Sequence, residues 1–217
     1  STKYDITVEE NELLTTKLRN DLGIPDHAPV LVAGSVRPGE GEILLTALRG
    51  LQSSFPELKL VYAPRHPERF EAEAQMILER GFRLSRRTAP VSRGAEVFLL
   101  DSLGELRLAY QLGEICFVGG TLVRIGGHNP LEVAALGRTV LVGPYTSNVE
   151  DVVQDLLGAG GAFRVETASS LVSVVTGLLN NPEKRLSAGH AARAVAESHR
   201  GAVKRVLWEI GFLRSPT

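Results

Sequence analysis

The stretch GGTLVRIGGHNPLEVAALG, residues 119–137, decides how this chain reads. It sets two glycine pairs, a histidine, an asparagine and a glutamate just ahead of a helix. The apolar run Glu114-Ile-Cys-Phe-Val118 before it reads as a buried strand ending at Gly119-Gly120. Pro130 suits the first turn of a helix, where its missing N–H has no partner to lose. Asn129 then falls at the N-cap, its side chain accepting from a free backbone N–H. A strand, a glycine-rich loop and a capped helix start together make an anion-binding device. Glu132 lies in the first turn of that helix. It either stabilises the helix dipole or accepts hydrogen bonds from sugar hydroxyls.

Outward from this stretch, short apolar strands alternate with helices. Residues 8–22 read as an amphipathic helix with Leu13, Leu14 and Leu18 on one face, stopped by Gly23 and Pro25. Strands are expected at 29–33, 58–62, 96–100, 115–118 and 139–142, with weaker ones near 82–84 and 162–165. Helices are expected at 42–52, 68–81, 103–112, 131–136 and 149–157. Residues 169–213 read as two or three helices, broken near Asn181-Pro182 and near Gly201. Nearly all-apolar strands alternating with helices imply an α/β fold: a Rossmann-like, doubly wound parallel sheet covered on both faces. In such sheets ligands bind beyond the carboxyl ends of the strands. The polar motifs at 35–37, 64–66, 101–105, 119–121 and 143–146 all fall there.

Composition is that of an ordinary globular chain: 217 residues, 43% hydrophobic, 23% charged, net charge −1. No bulk field favours nucleic acid or an anionic membrane. The single cysteine, Cys116, excludes an internal disulfide and reads as a small buried hydrophobe. No run approaches the roughly 18 apolar residues of a membrane span, and the opening Ser-Thr-Lys-Tyr-Asp lacks a signal-peptide core. A cytoplasmic protein is expected. No G-x-G-x-x-G stands in the first strand-to-helix turn, which argues against a dinucleotide dehydrogenase.

Each motif has a structural and a chemical reading. In residues 34–40, Pro38-Gly39 is a turn signal, while Ser35 and Arg37 offer a hydroxyl and a rigid fork of donors for a phosphate or carboxylate. In 64–70, the prolines frame a helix start with solvated charges; alternatively Arg65 and His66 face the crevice and meet a negative charge. Arg69 is spaced to pair with Glu73. In 101–106, Asp101 or Ser102 caps the next helix, and the backbone of Ser102, Leu103 and Gly104 can read a nucleobase edge with Leu103 over the ring. Glu105 is the acid to test there. His128 has no second ligand at metal spacing, so it reads as positioning or anion-contacting. The run 143–148 is either a turn with Asn148 capping a helix or the far wall of the crevice. In the tail, Arg193, Arg200, Lys204 and Arg205 read as a solvated face, with Leu207 and Trp208 packed inward.

Four of these runs together resemble the Kdo transferases, enzymes that move 3-deoxy-D-manno-octulosonic acid (Kdo) from CMP-Kdo onto lipid A precursors. They are Gly119-Gly-Thr-Leu-Val with Gly126-Gly-His-Asn-Pro-Leu-Glu132, Pro64-Arg-His-Pro-Glu-Arg-Phe70, Asp101-Ser-Leu-Gly-Glu-Leu106 and Gly143-Pro-Tyr with Asn148. The loop at 34–40 is similar to the same family's pattern, with Val36 where threonine is common and Gly41 where a second acid is common. Ser35, Arg37, Gly39 and Glu40 agree. The resemblance covers nearly the whole chain but only the C-terminal half of a complete enzyme. It implies a single CMP-Kdo-binding domain over 1–217, half of a GT-B glycosyltransferase. The absent N-terminal domain would bind the lipid acceptor at the cytoplasmic face of the inner membrane and supply the general base.

Read through the family, donor-binding residues are Ser35, Arg37, Arg65, His66, Ser102, Leu103, Gly104, Glu105, Gly119, Gly120, Asn129 and Glu132. Glu132 would hold the ribose; Asn129 and the helix start would lie beside the phosphate, with the Gly119 and Gly120 amides as further donors. The resemblance implies a donor with one phosphate; no cofactor, metal or nucleic-acid partner is expected. The chain alone is expected to bind CMP without transferring Kdo. A GT-B domain for a UDP or GDP sugar and a non-catalytic nucleotide-binding module are the alternatives.

Overall fold

The chain enters its sheet in the middle and winds outward twice. The computed structural model describes residues 8–209, with side chains over 12–200. Seven strands lie in one sheet: β1 (Val30–Val36), β2 (Lys59–Pro64), β3 (Leu84–Arg86), β4 (Val97–Leu99), β5 (Ile115–Val118), β6 (Thr139–Val142) and β7 (Ala162–Arg164). Their order is β3-β4-β2-β1-β5-β6-β7, and every pairing is parallel. The helices are α1 (Val8–Leu22), α2 (Glu40–Gln52), α3 (Phe70–Glu79), α4 (Leu106–Leu112), α5 (Leu131–Ala134), α6 (Glu150–Gly158), α7 (Ala168–Leu179) and α8 (Pro182–Glu209).

Alternation along each strand builds two cores. Val30 and Val32 of β1 join Cys116, Val118, Val140 and Val142 on one face, under α1, α4, α5, α6 and α8. Leu31 and Ala33 join Leu60, Tyr62, Ile115 and Phe117 on the other, under α2, α3 and α7. Leu44, Leu45, Leu48 and Leu51 of α2 are at most 1% exposed, and each buried leucine contributes about 1.5–3 kcal/mol by leaving water. The doubly wound parallel sheet expected from the sequence is the observed fold. Cys116 is fully buried in β5, its Sγ 3.4 Å from the Tyr110 carbonyl oxygen. Burial pushes its thiol pKa up to about 12.

Several expected boundaries shift. In α1, Leu18 and Leu22 are buried, but Leu13 remains 72% and Leu14 41% exposed, so the apolar face lies nearer the C-terminal end than the leucine spacing suggests. The edge strand forms at 84–86 rather than 82–84, because Phe82 is drawn under the Arg49 guanidinium, 3.9 Å from its ring centroid. The helix expected from Leu103 begins at Leu106, after a turn that needs Gly104 at φ +85. The helix after Pro130 is a single turn, Leu131–Ala134. Helix α8 runs through Gly201 without a break. The side chains of Lys204, Arg205, Leu207 and Trp208 lie outside those described.

The winding reverses between β1 and β5, and there the two strand-end loops touch. A Cβ on Gly119 would fall 2.2 Å from the Ser35 carbonyl oxygen and 2.8 Å from the Val36 nitrogen. Only glycine permits this approach. Ser35, across from it, is the one non-glycine with positive φ among the described residues, at +55. The β1–β2 register slips between Ala33 and Val36 at the same point. Strained backbone held by its surroundings gathers at functional sites.

Candidate functional site

A cavity of about 380 Å³ opens at this reversal point. Ser35, Arg65, Ser102, Leu103, Gly104, Asn129 and Glu132, all singled out in the sequence, line it together with His128 and Tyr110. Four of the five expected strand-end loops, those after β1, β2, β4 and β5, therefore converge. A second hollow of about 420 Å³ lies beside Arg49, Arg80 and Phe82, but its cations are engaged. Arg49 meets Glu96 at 3.6 Å and Arg80 meets Glu42 at 2.7 Å.

One wall is basic. Arg65 is exposed at the rim, its loop tied down by Arg65 N–H donating to the Val36 carbonyl at 3.0 Å. Arg37 and His66 stand beside the cavity rather than in its lining, with Arg37 Nη1 against His66 Nε2. Arg37 Nε and His128 Nε2 are buried without a hydrogen-bond partner. Burial lowers the His128 pKa from 6.5, and the charges of Arg37, Arg65 and His66 lower it further. The ring is thus neutral at neutral pH, in a field that favours an anion.

The N-cap of the helix turn is Pro130, one residue later than expected, yet Asn129 Oδ1 still accepts from Leu131 N–H at 3.0 Å. Glu132 is exposed and lines the same cavity. Tyr110 was not visible in the sequence as a site residue, because it reads as an ordinary core position of a helix. Its buried hydroxyl bonds to Ser35, in space left by Gly34, where a Cβ would fall 2.1 Å from the Tyr110 oxygen.

Three expectations are corrected. The Gly119 and Gly120 amides are not free for a ligand. Gly119 N–H donates to the Gly34 carbonyl at 2.8 Å. Gly120 N–H donates to Glu40 Oε2 at 2.8 Å, while Thr121 and Leu122 N–H donate to Glu40 Oε1 at 3.0 and 2.9 Å. Glu105 does not line the cavity: Arg87 grips its carboxylate through Nε and Nη2 at 3.0–3.2 Å, and Ser102 Oγ donates to it. Burial raises the Glu105 pKa, but Arg87 and Ser102 outweigh it and hold the group below the usual value. Asp101 caps no helix; it accepts from Arg86 Nε at 2.7 Å and from Thr88 N–H and Oγ1 at 3.0 and 2.6 Å.

Residues 143–148 do not form the far wall. They brace the glycine loop from behind, through Tyr145 N–H to Thr121 O at 2.9 Å and Asn148 Nδ2 to Ile125 O at 3.0 Å. Asn148 therefore leaves α6 without a side-chain cap. The Arg69–Glu73 pair forms at 3.4 Å. Among the described residues no group of three or more His, Cys, Asp or Glu could hold a metal ion.

A parallel sheet wound from its middle, with a cavity over the reversal point, defines a Rossmann-like α/β fold. Comparison with known proteins narrows the class. The chain is 38% identical over 208 residues to 3-deoxy-D-manno-octulosonic acid transferase of Haemophilus influenzae, covering 94% of this chain and 48% of that protein. It is 32% identical over 213 residues to the enzyme of the same name from Bordetella pertussis, covering 95% and 49%. Among solved structures it is similar to the C-terminal CMP-Kdo binding domain of WaaA from Acinetobacter baumannii, with TM-score 0.79 and 28% identity over 86% of this chain and 98% of that one. Anabaena HepE, solved in complex with UDP-glucose, shares the fold at TM-score 0.67 and 15% identity, over 92% of this chain and 52% of that one. No family model matches the chain. By sequence and fold this chain belongs with the Kdo transferases, within the GT-B glycosyltransferases. It spans about half the length of the curated relatives it matches.

Proposed function

We propose that this chain is the donor-binding half of a Kdo transferase, holding CMP-Kdo while Kdo passes to a lipid A precursor in lipopolysaccharide core biosynthesis. One observation carries the reading: residues from four separate family motifs line a single cavity over the reversal point. In this reading Glu132 accepts from the ribose hydroxyls. The backbone of Ser102, Leu103 and Gly104 meets the cytosine edge, and the exposed Leu103 side chain covers the ring. Arg65, Arg37 and His66 face the phosphate and the sugar carboxylate. Negative charge grows on the phosphate as CMP leaves, and fixed cations that strengthen their grip there speed the step. The glycine amides, being engaged, contribute by shaping the wall rather than by donating.

The base that deprotonates the acceptor hydroxyl must lie within hydrogen-bond reach of it; we place it on the acceptor-binding half. No helix among the described residues is long and apolar enough to cross a membrane, so contact with the inner membrane at its cytoplasmic face is also assigned to that half. This chain alone is then expected to bind CMP and to transfer no Kdo to a lipid A precursor. Measurable transfer by the pure chain would refute that division of labour.

Calorimetric titration with CMP, UMP and GMP tests the donor. The expected result is CMP-selective binding, weakened about tenfold in Glu132→Ala by loss of hydrogen bonds to a charged acceptor. A UDP- or GDP-sugar domain is the second reading, favoured by the fold shared with UDP-glucose-bound HepE. Equal binding of all three nucleotides would favour it. Binding indifferent to Glu132→Ala would instead point to a non-catalytic nucleotide-binding module.

A further inference from the structure

The two readings above differ by one phosphate, and a buried side chain bears on that difference. Glu40, the first residue of α2, is 0% exposed. Its Oε2 accepts from Arg37 N–H at 2.8 Å and Gly120 N–H at 2.8 Å. Its Oε1 accepts from Thr121 N–H at 3.0 Å and Leu122 N–H at 2.9 Å. Successive backbone N–H groups forming a concavity are an anion seat, and a helix N-terminus adds to its field. Here the amides after β5 and the Arg37 amide, in the loop just before α2, all point at one carboxylate belonging to the chain itself. Burial raises the Glu40 pKa and the four N–H donors pull against that. Each oxygen already accepts two N–H bonds, the donor set of a carboxylate, although burial outweighs them and leaves the pKa above the ordinary 4.5.

The seat adjoins the cavity. Gly120, which donates to Glu40, packs on the His128 ring; a Cβ there would fall 3.1 Å from His128 Cδ2. Arg37, whose amide donates to Glu40, carries its guanidinium to the basic wall beside His66. Resting on the reading of this cavity as a nucleotide-sugar site, we propose that Glu40 is a specificity-determining residue. Its carboxylate fills the anion seat in the place of a second phosphate. A donor with one phosphate meets Arg65 and Arg37 and stops short of the seat. A nucleoside diphosphate brings its second phosphate toward a fixed negative charge whose donors are already spent.

The test compares CMP with CDP on the intact chain, in wild type, Glu40→Gln and Glu40→Ala, each checked by circular dichroism for retention of fold. Wild type should prefer CMP to CDP. Glu40→Gln removes the charge at nearly constant size, and the CDP:CMP affinity ratio should rise about tenfold by loss of like-charge repulsion. Glu40→Ala should raise the ratio further. It should also let inorganic phosphate shift the Gly120, Thr121 and Leu122 amide resonances, which it leaves unmoved in wild type. A merely structural role would weaken both nucleotides alike. An unchanged ratio in both variants, or a wild type that prefers CDP, overturns the proposal while leaving the nucleotide site standing. Failure of wild type to bind either nucleotide overturns both.

Discussion

Gly119 and Gly104 show that two glycines of one site are glycines for different reasons. Gly119 stands where a Cβ would strike the Ser35 carbonyl at 2.2 Å, backbone against backbone. Gly119→Ala should cost about 3 kcal/mol in urea unfolding, because neither strand end can retreat. Gly104 has open space around it and φ +85, so Gly104→Ala should cost about 1 kcal/mol of backbone strain alone. Equal losses at the two positions would contradict this account. At this scale the sequence is legible where a residue acts through its own loop. Arg65, Asn129 and Glu132 reach the cavity because their motifs end strands and start helices. Glu40 stands in a recognisable run, but three of its four partners are 80 to 82 residues away, and the local spacing does not reveal that its carboxylate turns inward to meet them. Tyr110 was hidden for the same reason. Glu105 looked like a ligand-facing acid because Arg87, its partner across the turn, was 18 residues distant.

Elements were read well where apolar runs were long and flanked by glycine or proline, as in β1, β5 and α2. They were read poorly where a few side-chain bonds decide the boundary. Ser102 and Arg87 both bond Glu105, and the turn they hold delays α4 by three residues. The reverse case is α7, whose start is locally encoded: Thr167 accepts from Ser170 N–H at 3.2 Å, and Ser170 Oγ accepts from Thr167 N–H at 2.9 Å. Thr167→Ala should lower stability by about 1 kcal/mol. Leu171, Val175 and Leu178 of α7 pack into the same core as α2, so the loss should appear in the global melting temperature. A change confined to local amide exchange would mean that α7 frays independently of the sheet.

At the scale of the whole molecule, charge couples the site to pH. Burial raises the pKa of Asp101, but Thr88 and Arg86 more than offset it, so Asp101 lies below its ordinary 3.8, as Glu105 lies below 4.5. Groups lowered in the folded state contribute stability above their unfolded values and lose it as pH falls through the folded ones. His128, lowered from 6.5, adds in the same sense, since below that value the unfolded chain takes up a proton first. Glu40, raised from 4.5, opposes them: its term is fullest below that value and fades as pH rises through the folded one. The urea midpoint should therefore fall between pH 4 and pH 3, and Asp101→Asn should flatten that fall while lowering the midpoint at pH 7. An Asp101→Asn profile parallel to wild type would remove Asp101 from the acid response.

One buried atom also makes the molecule self-reporting. The chain's single sulfhydryl, on Cys116, faces the core beneath the helix layer of α1, α4, α5, α6 and α8 and titrates only near the alkaline extreme. Fully buried there, it is reached only when that helix layer and the sheet part. An alkylating reagent added at neutral pH therefore acts as a clock on that event, its rate following the population of the opened chain. The same reading can be taken with and without CMP, so that a nucleotide's grip on the rim is measured as delay at the centre.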